Sequence, residues 1–154
     1  MKILRRHIGW REYVGLPELK VKGIKVKVDT GAATSALHAE DIFIFNEDGK
    51  KKVIFTIYPQ QGNKTKKVHA EAELIEMRSV RSSTGHVTER PVIRTTIKIG
   101  IEELYDIDIT LVNRDIMGFR MLLGRKALKK KFLVHPGKSF LLTQNPAIKG
   151  KASK

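Results

Sequence analysis

KVDTGAATSALHA, Lys27 to Ala39, is the stretch on which the reading of this chain turns. Just upstream, Lys20 to Val28 (KVKGIKVKV) alternates apolar and basic residues from Ile24 onward, the period of a half-buried strand with Ile24, Val26 and Val28 facing a core. The strand ends on one carboxylate, Asp29, and drops at once into Thr30, Gly31 and a run of small residues. Taken alone, Asp-Thr-Gly is a common turn in which the Asp side chain caps the backbone two residues on. The other reading is an acid raised at a strand's end to do chemistry, and the rest of the chain must decide between them.

Working outward, short runs rich in Val, Ile and Thr dominate, and no stretch keeps the 3.6-residue apolar period for more than a few turns. Ala36 to Phe45 and Lys52 to Tyr58 read as strands joined by the hairpin-prone NEDGK, with Gln60 to Lys67 a polar loop. Val68 to Met77, Val92 to Ile99 and Tyr105 to Val112 alternate as long antiparallel strands. Between the first two, VRSSTGHVTERP (Val80 to Pro91) reads as a solvent-facing loop or hairpin tip. Gly124 to Lys131 (GRKALKKK) is the best short helix, and Phe132 to Val134 and Ser139 to Leu142 are two last short strands. The expectation is an all-β fold in one domain over residues 1–143, with one short helix near 124–131 and a basic, disordered tail at 144–154.

Composition narrows the function. With 154 residues and 41% hydrophobic content the chain can build a real core, and with no cysteine it has neither disulfides nor thiolate metal sites. Neither a signal-like apolar run after Arg5 and Arg6 nor a membrane-length apolar run of roughly 18 residues occurs, so a cytoplasmic protein without membrane association is expected. Thirty Lys and Arg against sixteen Asp and Glu give a charge of +14, which draws in polyanions and speeds their encounter. Nucleic acid is possible but not favoured, because aromatics are only 6% and no ribonucleoprotein or helix-turn-helix pattern is present.

A carboxylate can serve as general base toward water, and a second carboxylate close by makes the two share a proton so that one acts as base and the other as acid. The chain contains a single Asp-Thr-Gly, so a partner for Asp29 would have to come from a second copy across a two-fold axis. Here a resemblance enters. VDTGAATSALHA resembles the catalytic loop of retroviral-type aspartic peptidases (retropepsins), and MLLGRKAL, Met121 to Leu128, resembles their second signature. GWREYVGLPEL, RPVIRTT, LVNRDIMGFRMLLGR and FLVHPGKSFLL extend the likeness, over roughly residues 9 to 142, to a retropepsin-like bacterial family labelled ATP-dependent zinc protease.

The resemblance implies a closed, mostly antiparallel retropepsin-like barrel working as a homodimer. It implies Asp29 as catalytic carboxylate, Thr30 locking the two loops across the dimer, and Gly31 allowing the close turn. Leu122, Leu123, Gly124 and Arg125 would support the loop from beneath. Ala32 would adjoin substrate, and Arg81, Ser82, Ser83, His86 and Arg90 would lie in the place of the flap that covers it. Retroviral enzymes commonly carry an acid four positions after the catalytic Asp, paired with the Arg of Gly-Arg; here Ala33 stands there, and Glu12 or Asp115 is the expected substitute partner for Arg125.

The zinc and ATP of that label find no support in the residues. The five histidines, His7, His38, His69, His86 and His135, are scattered singly, and Pro136-Gly137-Lys138-Ser139 lacks the glycine of a phosphate-binding loop, Phe132 standing in its place. No metal and no cofactor are expected. Some relatives of the family are linked with ATP-grasp ligases that add glutamate tails to a ribosomal protein, which implies an acidic, glutamate-rich peptide as substrate. Arg81, Arg90, Arg94, Arg114 and Arg120 are the exposed arginines expected to bind its carboxylates. The alternative is a non-catalytic binding module of the same fold, docking acidic peptides or the ribosome through its basic face.

Overall fold

The computed structural model describes residues 4–144, so the expected tail, apart from Gln144, lies outside the described residues. In chain order the strands are β1 (Arg6–Gly9), β2 (Arg11–Leu16), β3 (Val21–Asp29), β4 (Ser35–His38), β5 (Glu40–Glu47), β6 (Lys50–Ile57), β7 (Val68–Arg81), β8 (Val87–Ile99), β9 (Glu102–Val112), β10 (Met121–Gly124) and β11 (Phe132–His135). Among the described residues the one α-helix, α1, covers Arg125–Leu128. The fold is therefore mostly β, as the apolar alternation requires.

A nine-stranded sheet runs in the order β2-β3-β10-β4-β9-β8-β7-β6-β5. It turns back on itself where β2 meets β8 at Gly15 and Lys98, so that β2, β3, β10, β4, β9 and β8 form a ring-like sheet from which β7, β6 and β5 continue. Most neighbours are antiparallel, but β10 runs parallel to β3, and β4 parallel to β9. Inside the ring, Ile24, Val26, Leu37, Ile93, Ile109, Leu111, Met121 and Leu123 are fully buried. β10 lies between β3 and β4, and all its residues are buried, which is why its sequence is a short apolar run rather than an alternation. A separate two-stranded sheet pairs β1 with β11 in parallel.

Several expectations change in the structure. The run from Ala36 to Phe45 is broken: β4 ends at His38, β5 starts at Glu40, and Asp41 takes a left-handed φ of 52° at an irregularity in the pairing with β6. The presumed loop Val80–Pro91 is mostly strand, because β7 and β8 continue their ladder from Leu74 to Arg81, leaving a tip of Ser82 to His86. Polar residues in such a two-sided ribbon carry no burial alternation, so the sequence hides it. The helix is shorter than 124–131, since Lys129 closes its last turn and β11 follows at once.

Ser139–Leu142 is not a strand, and the reason is a buried acid. Glu12 on β2 is fully buried, with 0% exposure, and its carboxylate accepts bonds from the backbone of Gly9 (2.8 Å), Leu141 (2.9 Å) and Leu142 (3.2 Å) and from the Thr143 hydroxyl (2.7 Å). Backbone bonds from Trp10 to Lys138 (2.8 Å) and from Phe140 to Arg11 (3.0 Å) complete the junction. The carboxylate thus replaces a ladder and fastens the end of the described chain to β2. A second polar knot surrounds buried His38: Nδ1 meets Asp115 Oδ1 at 2.7 Å and Nε2 meets Glu40 Oε2 at 2.8 Å. Arg120 donates to Asp115 (2.8 Å) and to the carbonyls of Gln60 and Asn63, tying the 58–67 loop to the ring. For Asp115, burial alone would raise the carboxyl, but His38 and Arg120 outweigh it and hold it below the usual range.

Two substitutions test this framework. Glu12→Gln puts an amide donor against backbone donors and is expected to cost about 3 kcal/mol in urea unfolding with an unchanged slope; an unchanged midpoint would show that the carboxylate does not hold the junction. A methyl group at Gly124 would stand 2.6 Å from the Thr34 carbonyl carbon and 2.9 Å from the Ser35 nitrogen, both backbone atoms. Gly124→Ala is therefore expected to cost about 1–3 kcal/mol, and thermal melting at the wild-type temperature would contradict that contact.

Candidate active site

Asp29 is the last residue of β3, and parallel pairing sets it beside Gly124 at the end of β10. One position earlier, Val28 pairs with buried Leu123 on the core side, and its amide donates to the Trp10 carbonyl at 2.8 Å. The chain then turns: Ala32 N–H reaches back to the Asp29 carbonyl at 3.3 Å, and Gly31 N–H donates to Asp29 Oδ1 at 2.8 Å. This is the capped turn that the tripeptide suggests by itself, and the same bond fixes the carboxylate's orientation. Oδ2 has no hydrogen-bond partner among the described residues. A side chain at Gly31 would stand 3.1 Å from Oδ1, so glycine leaves that oxygen open.

The loop and α1 satisfy one another. A helix leaves its first amides unpaired, and Gly124, at the cap position, has no side chain to supply. Loop carbonyls do so instead: Arg125 N–H donates to Ala32 O at 2.7 Å and Lys126 N–H to Ala33 O at 3.0 Å. The Arg125 guanidinium donates to the Thr30 carbonyl at 2.7 Å. Its expected partners are otherwise occupied, Glu12 by the chain's end and Asp115 by His38 and Arg120. With Ala33 in place of an acid, the arginine turns to a backbone oxygen of the loop it supports. Buried Ser35, which no sequence signal marked, accepts from Gly124 N–H at 3.0 Å and locks β4 to β10.

Thus Asp29, Thr30, Gly31 and Ala32 come together with Leu122, Leu123, Gly124 and Arg125 as one interlocked unit. The hairpin residues are placed differently. Arg81, Ser83 and His86 are exposed at the tip of β7 and β8. The tip closes with Ser82 N–H on the His86 carbonyl (2.8 Å) and Gly85 at φ 87°. None of Arg81, Ser82, Ser83, His86 and Arg90 bonds to the Asp29 loop among the described residues. The hairpin reaches that loop through Arg78, which sequence reading passed over: its guanidinium donates to Thr34 Oγ1 at 3.2 Å and pairs with Glu76. Arg120, expected on the surface, is 5% exposed and belongs to the His38 knot.

The described residues do not fit a zinc ion. They contain no group of three or more His, Asp and Glu side chains placed to hold a metal, and both ring nitrogens of His38 are engaged by carboxylates. No helix among them is long and apolar enough to cross a membrane.

Comparison with known proteins places this geometry in context. The crystal structure of Lpg0085 from Legionella pneumophila subsp. pneumophila str. Philadelphia 1, titled as a protein with unknown function, matches with a TM-score of 0.75 and 27% identity, over 91% of this chain and 100% of that one. A "Probable alpha-L-glutamate ligase" of Shewanella halifaxensis (strain HAW-EB4) is 41% identical over 137 residues, 89% of this chain and 30% of the relative. A protein of the same name from Parasynechococcus marenigrum (strain WH8102) is 42% identical over 129 residues, 84% of this chain and 28% of the relative. The chain spans less than a third of the length of these curated relatives. A profile of the RimB-like family, described as "Retropepsin-like aspartic endopeptidase RimB", matches residues 7–145, and the chain belongs to that family.

Proposed function

We propose that this chain is an aspartic peptidase whose active site is assembled from two copies, each contributing Asp29. The observation that carries this reading is the state of the Asp29 carboxylate. One oxygen is held by Gly31 N–H at 2.8 Å on a loop braced by β10 and α1, and no second carboxylate of the chain bonds to it. Such a group is oriented and half complete. A second copy related by a two-fold axis would bring the identical loop against it. The exposed Thr30 side chain would then lie at the seam, where its hydroxyl can bond across to the partner loop.

In the assembled site a water lies between the two Asp29 carboxylates, which share one proton. The ionised carboxylate takes a proton from the water as its oxygen attacks the scissile carbonyl carbon, while the protonated one hydrogen-bonds to the carbonyl oxygen and passes its proton there. The resulting tetrahedral diol collapses as the amide nitrogen gains a proton and the carbon–nitrogen bond breaks. No covalent intermediate forms on the enzyme.

For substrate we propose a glutamate-rich peptide, the tail that an ATP-grasp ligase adds to a ribosomal protein. The charge of +14 suits a polyanion, and in the curated relatives a stretch like this chain is part of proteins named for glutamate ligation. Asp29→Asn keeps the Gly31 bond available but cannot take the water's proton. Cleavage of a glutamate-tailed peptide, followed by mass spectrometry, is expected to fall at least about 1,000-fold while the melting temperature is retained. Persistent cleavage would remove Asp29 from the mechanism, and a wild type that binds the peptide without cutting it would favour a binding module.

A further inference from the structure

The five arginines expected to bind carboxylates do not have equal freedom. Arg120 is buried and fully engaged, and Arg94 donates to Asp108 at 2.7 Å. Arg81 bonds within its own hairpin tip, to the Gly85 carbonyl at 3.4 Å. Arg90 and Arg114 differ: among the described residues neither has an ion-pair or hydrogen-bond partner, and the remaining residues contain no Asp or Glu to supply one. Arg90 is nevertheless half-buried. Burial lowers its pKa and neighbouring Arg114 lowers it further, so two guanidiniums face each other where desolvation makes repulsion count. Folding alone gains nothing from this pair, and a desolvated like-charge pair is a mark of a functional site.

Its position links it to Asp29. Arg90 is directly opposite Arg78 in the β7–β8 ladder, so the two side chains leave the same face about 5 Å apart. Arg78 is the residue that touches the Asp29 loop at Thr34, and Glu76 neutralises it. One strand further on, the uncompensated charge begins. We propose that Arg90 and Arg114 form a subsite that takes a carboxylate side chain of the substrate next to the Asp29 loop, and so set the preference for glutamate over neutral residues. The proposal rests on Asp29 marking the active site but not on its rate. A guanidinium fork accepts a carboxylate through two parallel hydrogen bonds, which a glutamine amide cannot match.

The test is binding, with Asp29→Asn as the parent protein so that cleavage does not intervene. Titration with a fluorescent peptide ending in four glutamates, and with its glutamine counterpart, is followed by anisotropy at physiological salt. Arg90→Gln or Arg114→Gln is expected to weaken the glutamate peptide about 10-fold or more and to leave the glutamine peptide unchanged. Arg90→Lys should fall between, and Arg94→Gln, which removes the same charge from an already paired site, should have little effect. Equal losses for Arg90→Gln and Arg94→Gln would mean a diffuse basic surface and overturn the proposal. So would absence of a glutamate preference, or a stronger Arg90-dependent affinity for a single-stranded RNA of equal length. Wild-type protein that failed to cleave the peptide would count against the peptidase reading alone, because the subsite is read by affinity.

Discussion

The parallel pairing of β3 with β10 is the constraint on which the site depends. It puts Gly124 beside Asp29, and the absence of a side chain there lets the Thr34–Ser35 backbone approach to distances a methyl group would forbid. From that contact the rest follows. Ser35 holds the Gly124 amide, α1 starts against the carbonyls of Ala32 and Ala33, and Arg125 reaches the carbonyl of Thr30. A loop of small residues, which would be mobile by itself, becomes a fixed mount for one carboxylate. Binding energy and rate then need not be spent on positioning that group.

How much of this is legible in the sequence depends on what each residue encodes. The core strand Val21–Asp29 could be read because alternation reports burial on one face, and Met121–Gly124 could be read because a short apolar run reports burial on both. The β7–β8 hairpin tip region could not, since both faces of a protruding ribbon are wet and period-2 patterning disappears. The break at Ala39 was hidden for another reason: Asp41 takes a left-handed φ that Asp tolerates without any glycine to announce it.

Pairing of charges was the least legible feature. Arg125 was assigned a carboxylate because an arginine buried near a loop usually has one, yet backbone carbonyls fill the role. Glu12 was considered for that arginine and instead holds the end of the described chain through backbone amides. Which arginines are left for a ligand can be decided only by subtraction, once Asp108 and Asp115 have been placed. The tripeptide itself was ambiguous in sequence because the two readings share one structure. The turn bond from Gly31 is also what aims the carboxylate.

The central claim is that one chain supplies half of an active site, and a mixing experiment addresses it most directly. Wild-type protein at fixed concentration is equilibrated with increasing Asp29→Asn protein, and cleavage of a glutamate-tailed peptide is followed. Random pairing at equal amounts places about half of the wild-type chains in mixed pairs, so the rate should fall to about half and continue downward as the variant is added. A rate that stays constant however much variant is present would mean that each chain carries a complete site, and would contradict the account.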